Sequence, residues 1–382
     1  MSPTFLGRLA VQQRVLPAYR APFFEALAGE CQAGLSVFAG QPLPEENTTP
    51  ARRLESAEYF PAHNWNFLHT PSPFYQCWQA NGRAWLEHWQ PDVLVIEGNP
   101  RTPSSRSLRR WMQQRQRPVL GWGLGAPALT GIWKYYRQAT RRSFLRPLDG
   151  MIAYSRRAAQ EYADLGFSPE RIFVAPNAVQ PRPTWPLPAR PQTFTGKPQV
   201  LFVGRLQPRK RIDHLLHACA ALPPALQPEL VIVGDGPARP GFEELARAVY
   251  PAARFTGARP GAELEAFFRA ADLFVLPGTG GLAAQQAMSY GLPVIVGEGD
   301  GTQEDLVTSQ TGWLLLGGGP AALERALAEA LSQPARLRHM GEAAYRLCCD
   351  EANLEVMARA FAAAAAAVKQ ATTGTPRKAG KR

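Results

Sequence analysis

The sequence predicts an α/β protein with two doubly wound domains that face each other across a cleft. Its 382 residues are enough for two domains of ordinary size, and its hydrophobic content of 45% is enough for a packed core in each. Short apolar runs alternate with longer amphipathic segments in both halves. Because buried parallel strands and covering helices produce this alternation, both domains are expected to be Rossmann-like.

In the first half, six short apolar runs are predicted strands: Arg14–Leu16, Leu35–Phe38, Val93–Ile96, Val119–Trp122, Met151–Tyr154 and Ile172–Val174. Four segments with helical spacing alternate with them: Phe23–Ala28, Ser104–Gln116, Ile132–Leu145 and Ala158–Leu165.

The second half shows the alternation more clearly. Its predicted strands are Val200–Val203, Leu230–Val233, Asp272–Leu276 and Pro293–Val296. Its predicted helices are Ile212–Leu222, Phe242–Val249, Ala262–Ala270 and Leu282–Tyr290.

Six prolines between residues 180 and 199 indicate an extended connector. We therefore place an N-terminal domain at 1–180, a Pro-rich linker at 181–199 and a C-terminal domain at 200–350. An alanine-rich helix is predicted at 351–369, with a return to the N-terminal domain as one option, and a disordered basic tail at 370–382.

Positive charge is concentrated in the first half. Residues 1–190 carry 22 Lys and Arg against 13 Asp and Glu, whereas residues 191–369 carry 16 against 18. This excess favours an anionic partner, such as a lipid headgroup or a phosphorylated acceptor. Nucleic acid is not expected as a partner, because no nucleic-acid module accompanies the charge.

The sequence also bounds the compartment. It has no run of about 18 uncharged apolar residues and no secretory signal at its start. Its five cysteines have no metal-like or redox spacing. We therefore expect a cytoplasmic protein with neither disulfides nor a metal site.

Two turns at predicted strand ends suit a phosphate. After Val203 come Gly204, Arg205 and Lys210, where glycine permits close backbone approach and the cations supply charge. Each charge-assisted hydrogen bond contributes about 1.5–3 kcal/mol. After Leu276, glycines 278, 280 and 281 precede a helix and expose successive amide groups. A solvated basic turn and a tight glycine turn are the structural alternatives.

These turns carry a family resemblance. GRLQPRKRID, LVIVGDGP and QQAMSYGLPVIV resemble the donor-binding domain of family-four glycosyltransferases of the GT-B fold. PDVLVIEGNPR and MIAYSRRAAQEYADLG in the first half resemble that family more weakly. The resemblance implies a donor domain at 200–350 and an acceptor domain at 1–180.

The resemblance also implies residue roles. Arg205 and Lys210 would be the catalytic cations, because they hold the leaving diphosphate. The donor-binding set would be Gly204, Arg205, Lys210, Arg259, Gly278, Thr279, Gly280, Gly281, Leu282 and Gln286. The segment 255–259 would lie near the base. No resident cofactor and no metal are implied.

Two positions depart from the family. Its usual pair of glutamates, eight positions apart, falls on Gly278 and Gln286. An amide at Gln286 still offers a donor and an acceptor to a ribose hydroxyl. Gly278 has no side chain, so the contact that the family's glutamate makes to the donor sugar is absent or is supplied by another residue.

Residues at other strand ends are candidates for the acceptor or the cleft: Glu97, Asn99, Trp122 and Glu304. Asp305 competes with Glu304 for the family's acidic position, and a capping role for Glu97 is an equal alternative.

Residues 132–146 interleave aromatic and basic residues. On a helix, this pattern suits an anionic membrane surface. The alternative is a domain helix whose aromatic side chains face the core while its arginines stay solvated.

The function that these observations predict is transfer of a sugar, with retention and without metal, from a nucleotide sugar to a glycan or lipid-linked acceptor. UDP-sugar is the expected donor, and GDP-sugar stays open. Retention follows from the resemblance alone. The alternative is a non-catalytic nucleotide-sugar-binding or scaffold subunit of a glycan assembly complex, suggested by Gly278 and Gln286.

Overall fold

The computed structural model describes residues 4–46, 48–68, 72, 74–317 and 319–374. The chain forms two units, one made of Met1–Val179 and Leu354–Arg382 and the other of Gln180–Asn353. Each is an α/β unit built on a parallel sheet, so the predicted fold class is confirmed.

The first unit alternates strands with covering helices. Its strands are β1 (Leu9–Val15), β2 (Leu35–Gly40), β3 (Glu58–Pro61), β4 (His63–Phe67), β5 (Gln76–Ala80), β6 (Val93–Glu97), β7 (Val119–Gly123), β8 (Gly150–Ala153) and β9 (Ile172–Val174). Its helices before the second unit are α1 (Ala21–Gly29), α2 (Gly82–Trp89), α3 (Ser105–Gln114), α4 (Lys134–Leu145) and α5 (Arg156–Asp164).

Seven of these strands form a parallel sheet in the order β3-β2-β1-β6-β7-β8-β9, while β4 and β5 form an antiparallel hairpin. The strand order reverses between β1 and β6, which pair in register from Leu9 with Val93 to Gln12 with Ile96. Ligands of doubly wound sheets bind at such a reversal, beyond the carboxyl ends of the strands. The fold therefore makes the ends of β1 and β6 the natural binding region of this unit.

The predicted first strand was wrong in position: β1 begins at Leu9, whereas the sequence suggested 14–16. Two glutamines interrupt its apolar pattern. Gln12 is fully buried, and both polar atoms of its side chain have partners. Its Nε2 donates to Gln79 Oε1 over 2.5 Å, and its Oε1 accepts from the backbone amide of Glu97 over 3.2 Å. These bonds satisfy a polar group that sequence patterning places outside a core.

The second unit contains strands β10 (Gln199–Val203), β11 (Glu229–Val233), β12 (Arg254–Gly257), β13 (Leu273–Leu276), β14 (Val294–Gly297) and β15 (Gly312–Leu315). Its helices are α6 (Ile212–Ala221), α7 (Arg239–Val249), α8 (Gly261–Ala270), α9 (Leu282–Ser289), α10 (Thr302–Leu306), α11 (Gly319–Leu331) and α12 (Pro334–Asp350).

These six strands form a parallel sheet in the order β12-β11-β10-β13-β14-β15. It has the three-two-one-four-five-six order of a nucleotide-binding doubly wound sheet. Strand β13 is completely buried because Leu273–Leu276 is an unbroken apolar run with helices on both faces. The order reverses between β10 and β13, so the turns after these two strands meet.

The last helix, α13 (Leu354–Gly374), belongs to the first unit and packs against α1. Phe361 is fully buried there, with its ring centroid 5.0 Å from that of Phe23 and 5.3 Å from that of Trp122. The helix extends to residue 374, so the first part of the predicted disordered tail is helical. Residues 375–382 lie outside the described part of the chain.

The Pro-rich segment 181–199 is part of the second unit. Trp185 stacks on Tyr290 at 5.0 Å and donates to the carbonyl of Ser289. Arg190 donates to four backbone carbonyls, at 2.8–3.3 Å: those of Phe268, Ala271, Tyr290 and Gly291. The segment therefore binds the ends of α8 and α9, where backbone carbonyl groups have no hydrogen-bond donor within their own helix.

We expect Arg190→Gln to lower the free energy of unfolding of the second unit by about 2–4 kcal/mol, because several helix-end carbonyls lose their donor. Urea denaturation of the full chain measures this. Lys197→Gln, an exposed cation of the same segment, is the matched control. Equal stability of the two variants would show that the segment is only a tether.

Candidate functional site

The turns after β10 and β13 form a single polar cluster in the second unit. Lys210 Nζ donates to the carbonyl of Thr279 over 2.6 Å. Arg209 Nη1 donates to Thr279 Oγ1 over 2.9 Å, and the amide of Thr279 donates to the carbonyl of Arg209. The structure thus brings together two loops that are 70 residues apart in sequence, as the topological reversal requires.

Lys210 is the best-defined cation of this cluster. It is only 9% exposed, and no carboxylate in the described part of the chain lies within ion-pair distance of its ammonium. Burial, with a smaller contribution from Arg209, lowers the pKa of Lys210 to about 8, while the carboxylate of Asp300, beyond ion-pair distance, acts in the opposite direction. A buried ammonium without a carboxylate partner is a ready site for an anion.

Glycine at 278 is required by close backbone packing. A side-chain carbon placed there would lie 2.1 Å from the carbonyl oxygen of Arg209 and 2.6 Å from Lys210 Cα. Both neighbours are backbone atoms, which cannot turn away as a flexible side chain does. The position therefore has no room for the glutamate that the family usually carries.

Gly280 lies beside the Lys210 ammonium, and Gly281 follows it at the start of α9. Gly280 has φ of +130°, which favours glycine, and a side-chain carbon there would lie 2.6 Å from Lys210 Nζ. Gly281 is the N-cap of α9, so the first amides of that helix lack intrahelical acceptors. A phosphate held by these amides would lie beside the ammonium. A side-chain carbon placed on Gly204 would lie 3.9 Å from Lys210 Cε.

The remaining donor-site candidates differ in their surroundings. Arg205 is half-buried directly after Gly204. Arg259 is exposed and pairs with Glu263 over 3.1 Å, and with Phe255 and Thr256 it lines a separate shallow pocket at the end of β12. Among the described residues, no hydrogen bond or ion pair joins Arg259 to the Lys210 cluster.

The two adjacent glutamines of α9 have different environments. Gln285 is fully buried; it donates to the carbonyl of Ala352 over 2.8 Å and accepts from the amide of Gln180 over 3.2 Å. Gln286 is half-exposed. Gln285 is therefore structural, and Gln286 is the one that remains accessible to a ligand.

Sequence reasoning missed Gln303, which neighbours this cluster. It is 1% exposed, and neither its amide nitrogen nor its carbonyl oxygen finds a hydrogen-bond partner in the described chain. Its nitrogen would lie 3.2 Å from a side-chain carbon on Gly281. The predicted acidic residues beside it differ in burial, since Glu304 is exposed and Asp305 half-buried. A buried amide has no sequence signature, which is why the acidic pair drew attention instead.

The first unit has a pocket of about 440 Å³ at the ends of β1, β6 and β7. Glu97 lines it and accepts a hydrogen bond from the amide of Arg14 over 3.0 Å. Burial raises the pKa of the Glu97 carboxyl. Glu97 thus accepts a hydrogen bond at a strand end and also faces the pocket. The capping role and the acceptor-binding role that its sequence position left open are therefore compatible with each other.

Asn99 and Trp122 also line this pocket, but only Asn99 is exposed. Trp122 is 4% exposed and packs in the core, stacked on Phe23 at 6.4 Å and 5.6 Å from Tyr154. Trp122 therefore reaches the pocket with only a small part of its ring, and its contact to an acceptor stays a prediction. Its large apolar ring follows the burial pattern of β7 and fills space under α1 and α13.

The segment 132–146 divides into two parts. Trp133, Tyr135 and Tyr136 are 56%, 77% and 65% exposed, whereas Phe144 and Leu145 are buried. The alternative in which the aromatic residues face the core is wrong for the first part. Ile132, 90% exposed, extends this apolar surface.

The described residues lack two features, one typical of metal sites and one typical of membrane proteins. They contain no group of three or more His, Cys, Asp and Glu side chains placed to hold a metal ion. They also contain no helix with the length and apolar content needed to span a bilayer.

We expect Gly278→Ala to weaken the Lys210 cluster, because the added methyl group must displace the Arg209–Lys210 backbone. The thermal midpoint of the second unit should fall by several degrees, in keeping with about 1–3 kcal/mol for overpacking. Gly241→Ala is the control, since a side-chain carbon there meets nothing within 4 Å. Equal midpoints for the two variants would contradict the close packing.

Curated relatives match parts of the chain. A GDP-mannose-dependent alpha-mannosyltransferase of Mycolicibacterium smegmatis is 39% identical over 142 residues, which are 35% of this chain and 36% of the relative. A D-inositol 3-phosphate glycosyltransferase of Nocardia farcinica is 32% identical over 225 residues, or 54% of this chain and 50% of the relative. The match therefore spans about a third to a half of these relatives.

Solved structures resemble the whole fold. Sucrose-phosphate synthase from Thermosynechococcus elongatus aligns with a TM-score of 0.72 at 19% identity, covering 96% of this chain and 100% of that chain. The Anabaena protein HepE, in complex with UDP, aligns with a TM-score of 0.66 at 16% identity, covering 94% and 98%. At these identities the likeness shows the fold alone.

Two family profiles match the chain in succession. The profile described as Glycosyltransferase Family 4 matches residues 36–182, and that described as Glycosyl transferases group 1 matches residues 184–347. Their junction lies close to the boundary between the two units. With both profiles matched in order and the doubly wound topology present in both units, the chain belongs to the family-four glycosyltransferases of the GT-B fold.

Proposed function

We propose that this protein transfers a sugar, with retention and without a metal ion, from a nucleoside diphosphate sugar to a glycan or lipid-linked acceptor. One observation carries the proposal: Lys210 is a buried ammonium without a carboxylate partner in the described chain, directly beside Gly280 and the start of α9. Such a site is suited to the diphosphate of a donor.

In this proposal the second unit stabilises the leaving group. The bond between the anomeric carbon of the sugar and the diphosphate oxygen breaks, and negative charge grows on the distal phosphate. Lys210, Arg205 and the amides of Gly280, Gly281 and Leu282 are fixed before the reaction and oppose that charge. The acceptor hydroxyl attacks from the face that the diphosphate leaves, and its proton passes to the departing phosphate oxygen.

The first unit is proposed to bind the acceptor in the pocket at the ends of β1 and β6. Glu97 and Asn99 offer polar groups to its hydroxyls. Because the pKa of Glu97 is raised, its carboxyl retains a proton to higher pH than an exposed one and can donate a hydrogen bond. Glu304, in the second unit, is a further candidate residue for the acceptor or the cleft.

UDP is the proposed nucleotide, and GDP is the second candidate. One structural neighbour was solved in complex with UDP, whereas one curated relative is named a GDP-mannose-dependent alpha-mannosyltransferase. The matched stretch of that relative covers only 35% of this chain. The two bases are therefore separate arms of the test.

The alternative function is a non-catalytic subunit that binds a nucleotide sugar within a glycan assembly complex. Its support is the absence of carboxylates at 278 and 286. The close packing at Gly278 weakens this argument, because the backbone geometry itself excludes a side chain there.

We also propose that the first unit attaches peripherally to the inner face of an anionic membrane, where a growing surface glycan would be assembled. The support is the exposed group of Ile132, Trp133, Tyr135 and Tyr136, which is flanked by Lys134 and Arg137. Aromatic and aliphatic side chains enter the interface while the cations meet lipid phosphates.

Calorimetric titration of the full chain at neutral pH, where Lys210 is mostly protonated, tests the donor site. We expect one of UDP and GDP to bind with a micromolar Kd. Arg205→Ala and Lys210→Ala should each weaken it by about tenfold or more, because a charge-assisted contact to phosphate is lost. Binding should also weaken as pH rises above about 8, since Lys210 then loses its charge.

Arg247→Ala is the control for this titration, because Arg247 is an exposed cation on α7. Failure of folded protein to bind either nucleotide would refute the donor site. Nucleotide binding without sugar transfer to any glycan or lipid-linked acceptor would instead favour the scaffold function.

Membrane attachment is tested by co-sedimentation with phosphatidylglycerol–phosphatidylcholine vesicles. We expect the Trp133→Ser, Tyr135→Ser double variant to lose most of the bound fraction, and high salt to release the parent protein. Trp65→Ser is the control, because Trp65 is 57% exposed elsewhere in the unit. The proposal fails if the control loses as much binding as the double variant.

A further inference from the structure

A second pocket of the first unit adjoins the proposed acceptor pocket. The two share Asn99, Pro100 and Arg141. The second pocket has a volume of about 280 Å³, and its walls come from residues 74–76, from residues 99–101 and from α4. A molecule whose hydroxyl lies near Glu97 would thus extend into this neighbouring space.

Three half-buried arginines line the second pocket: Arg101, Arg137 and Arg141. No carboxylate in the described ranges forms an ion pair with any of them. Arg141 donates to the carbonyl of Pro127 over 2.7 Å. Burial and the neighbouring charge of Arg137 lower the pKa of Arg141.

Other arginines of the same unit have partners in the protein. Arg14 forms an ion pair with Glu46 over 2.5 Å, and Arg20 donates to Ala178 and Asn177. Glu161 lies close enough to act on Arg141, but its carboxylate accepts from the amide of Ala126 over 2.7 Å and lies 3.7 Å from Arg157. The three pocket arginines therefore carry positive charge that the fold leaves for a ligand to balance.

The rim of this pocket is apolar. Phe74 and Tyr136 are 52% and 65% exposed, and Leu129 is half-buried beside them. Aromatic side chains held at the mouth of a pocket suit a ligand that has an apolar portion next to its charged group.

We propose that this second pocket binds a phosphate group of the acceptor, with an apolar or sugar portion of the same molecule against Phe74 and Tyr136. This inference rests on the proposed function, because it gives the chemical class of the acceptor. One guanidinium group can donate two parallel hydrogen bonds to the oxygens of a phosphate. Three such groups are therefore well matched to a phosphate monoester or a diphosphate.

Titration of the full chain with geranyl phosphate, geraniol and glucose 1-phosphate tests the pocket. We expect geranyl phosphate to bind at least about tenfold more tightly than geraniol. Arg101→Gln and Arg137→Gln should each weaken geranyl phosphate binding by about tenfold, and leave the affinity for geraniol unchanged. Arg110→Gln is the control, because Arg110 is an exposed arginine on α3 that does not line the pocket.

Tight binding of geranyl phosphate but not glucose 1-phosphate supports a lipid-linked acceptor, and comparable binding of both supports a phosphorylated sugar. Equal affinities for geranyl phosphate and geraniol would overturn the inference, as would an equal loss in Arg110→Gln. Binding of UDP is measured on the same samples. If UDP binds while the phosphate probes do not, the acceptor inference fails and the donor site stands.

Discussion

The contact between two backbone turns at the reversal point of the second sheet determines the geometry of the proposed donor site. Gly278 lies so close to the backbone of Arg209 and Lys210 that a side-chain carbon on it would overlap that backbone. The hydrogen bond from Lys210 to Thr279 depends on this approach, because the lysine side chain must cross from one turn to the other. The position of the ammonium relative to Gly280 follows from the same contact.

Both units place positive charge beyond the carboxyl ends of their strands, and in the part of the chain that the structure describes some of it has no carboxylate within ion-pair distance. In the second unit this charge includes the buried ammonium of Lys210, and in the first it includes the half-buried guanidinium groups of Arg101, Arg137 and Arg141. Keeping such charges partly out of water opposes folding, while the same desolvation strengthens their attraction for an anionic ligand. The protein thereby forgoes some stability in exchange for a preorganised field at each proposed site.

The sequence was sufficient for the fold class and for most elements of the second unit, because its strands are continuous apolar runs that end in glycine turns. It was weaker in the first unit, where the buried Gln12 concealed the start of β1 and the hairpin β4–β5 has exposed aromatic residues. For the site, residue types and spacing indicated Lys210 and the glycines of 278–281. Spacing does not report burial, so it could not indicate that most of the Trp122 ring lies in the core, and it gave no sign of the buried Gln303. The arginine pocket depends on three segments far apart in the chain, which no local pattern brings together.

The return of α13 to the first unit has a consequence for the order in which the protein is made. The second unit is a continuous stretch, 180–353, that is synthesised before α13. The first unit must therefore wait, with the surface around Phe23 and Trp122 still uncovered, until Phe361 arrives. Domains that fold as units during synthesis usually do so from the N-terminus. In this chain the first unit stays incomplete until after the second has been synthesised, and during that interval its apolar face around Phe23 and Trp122 lacks the cover of Phe361.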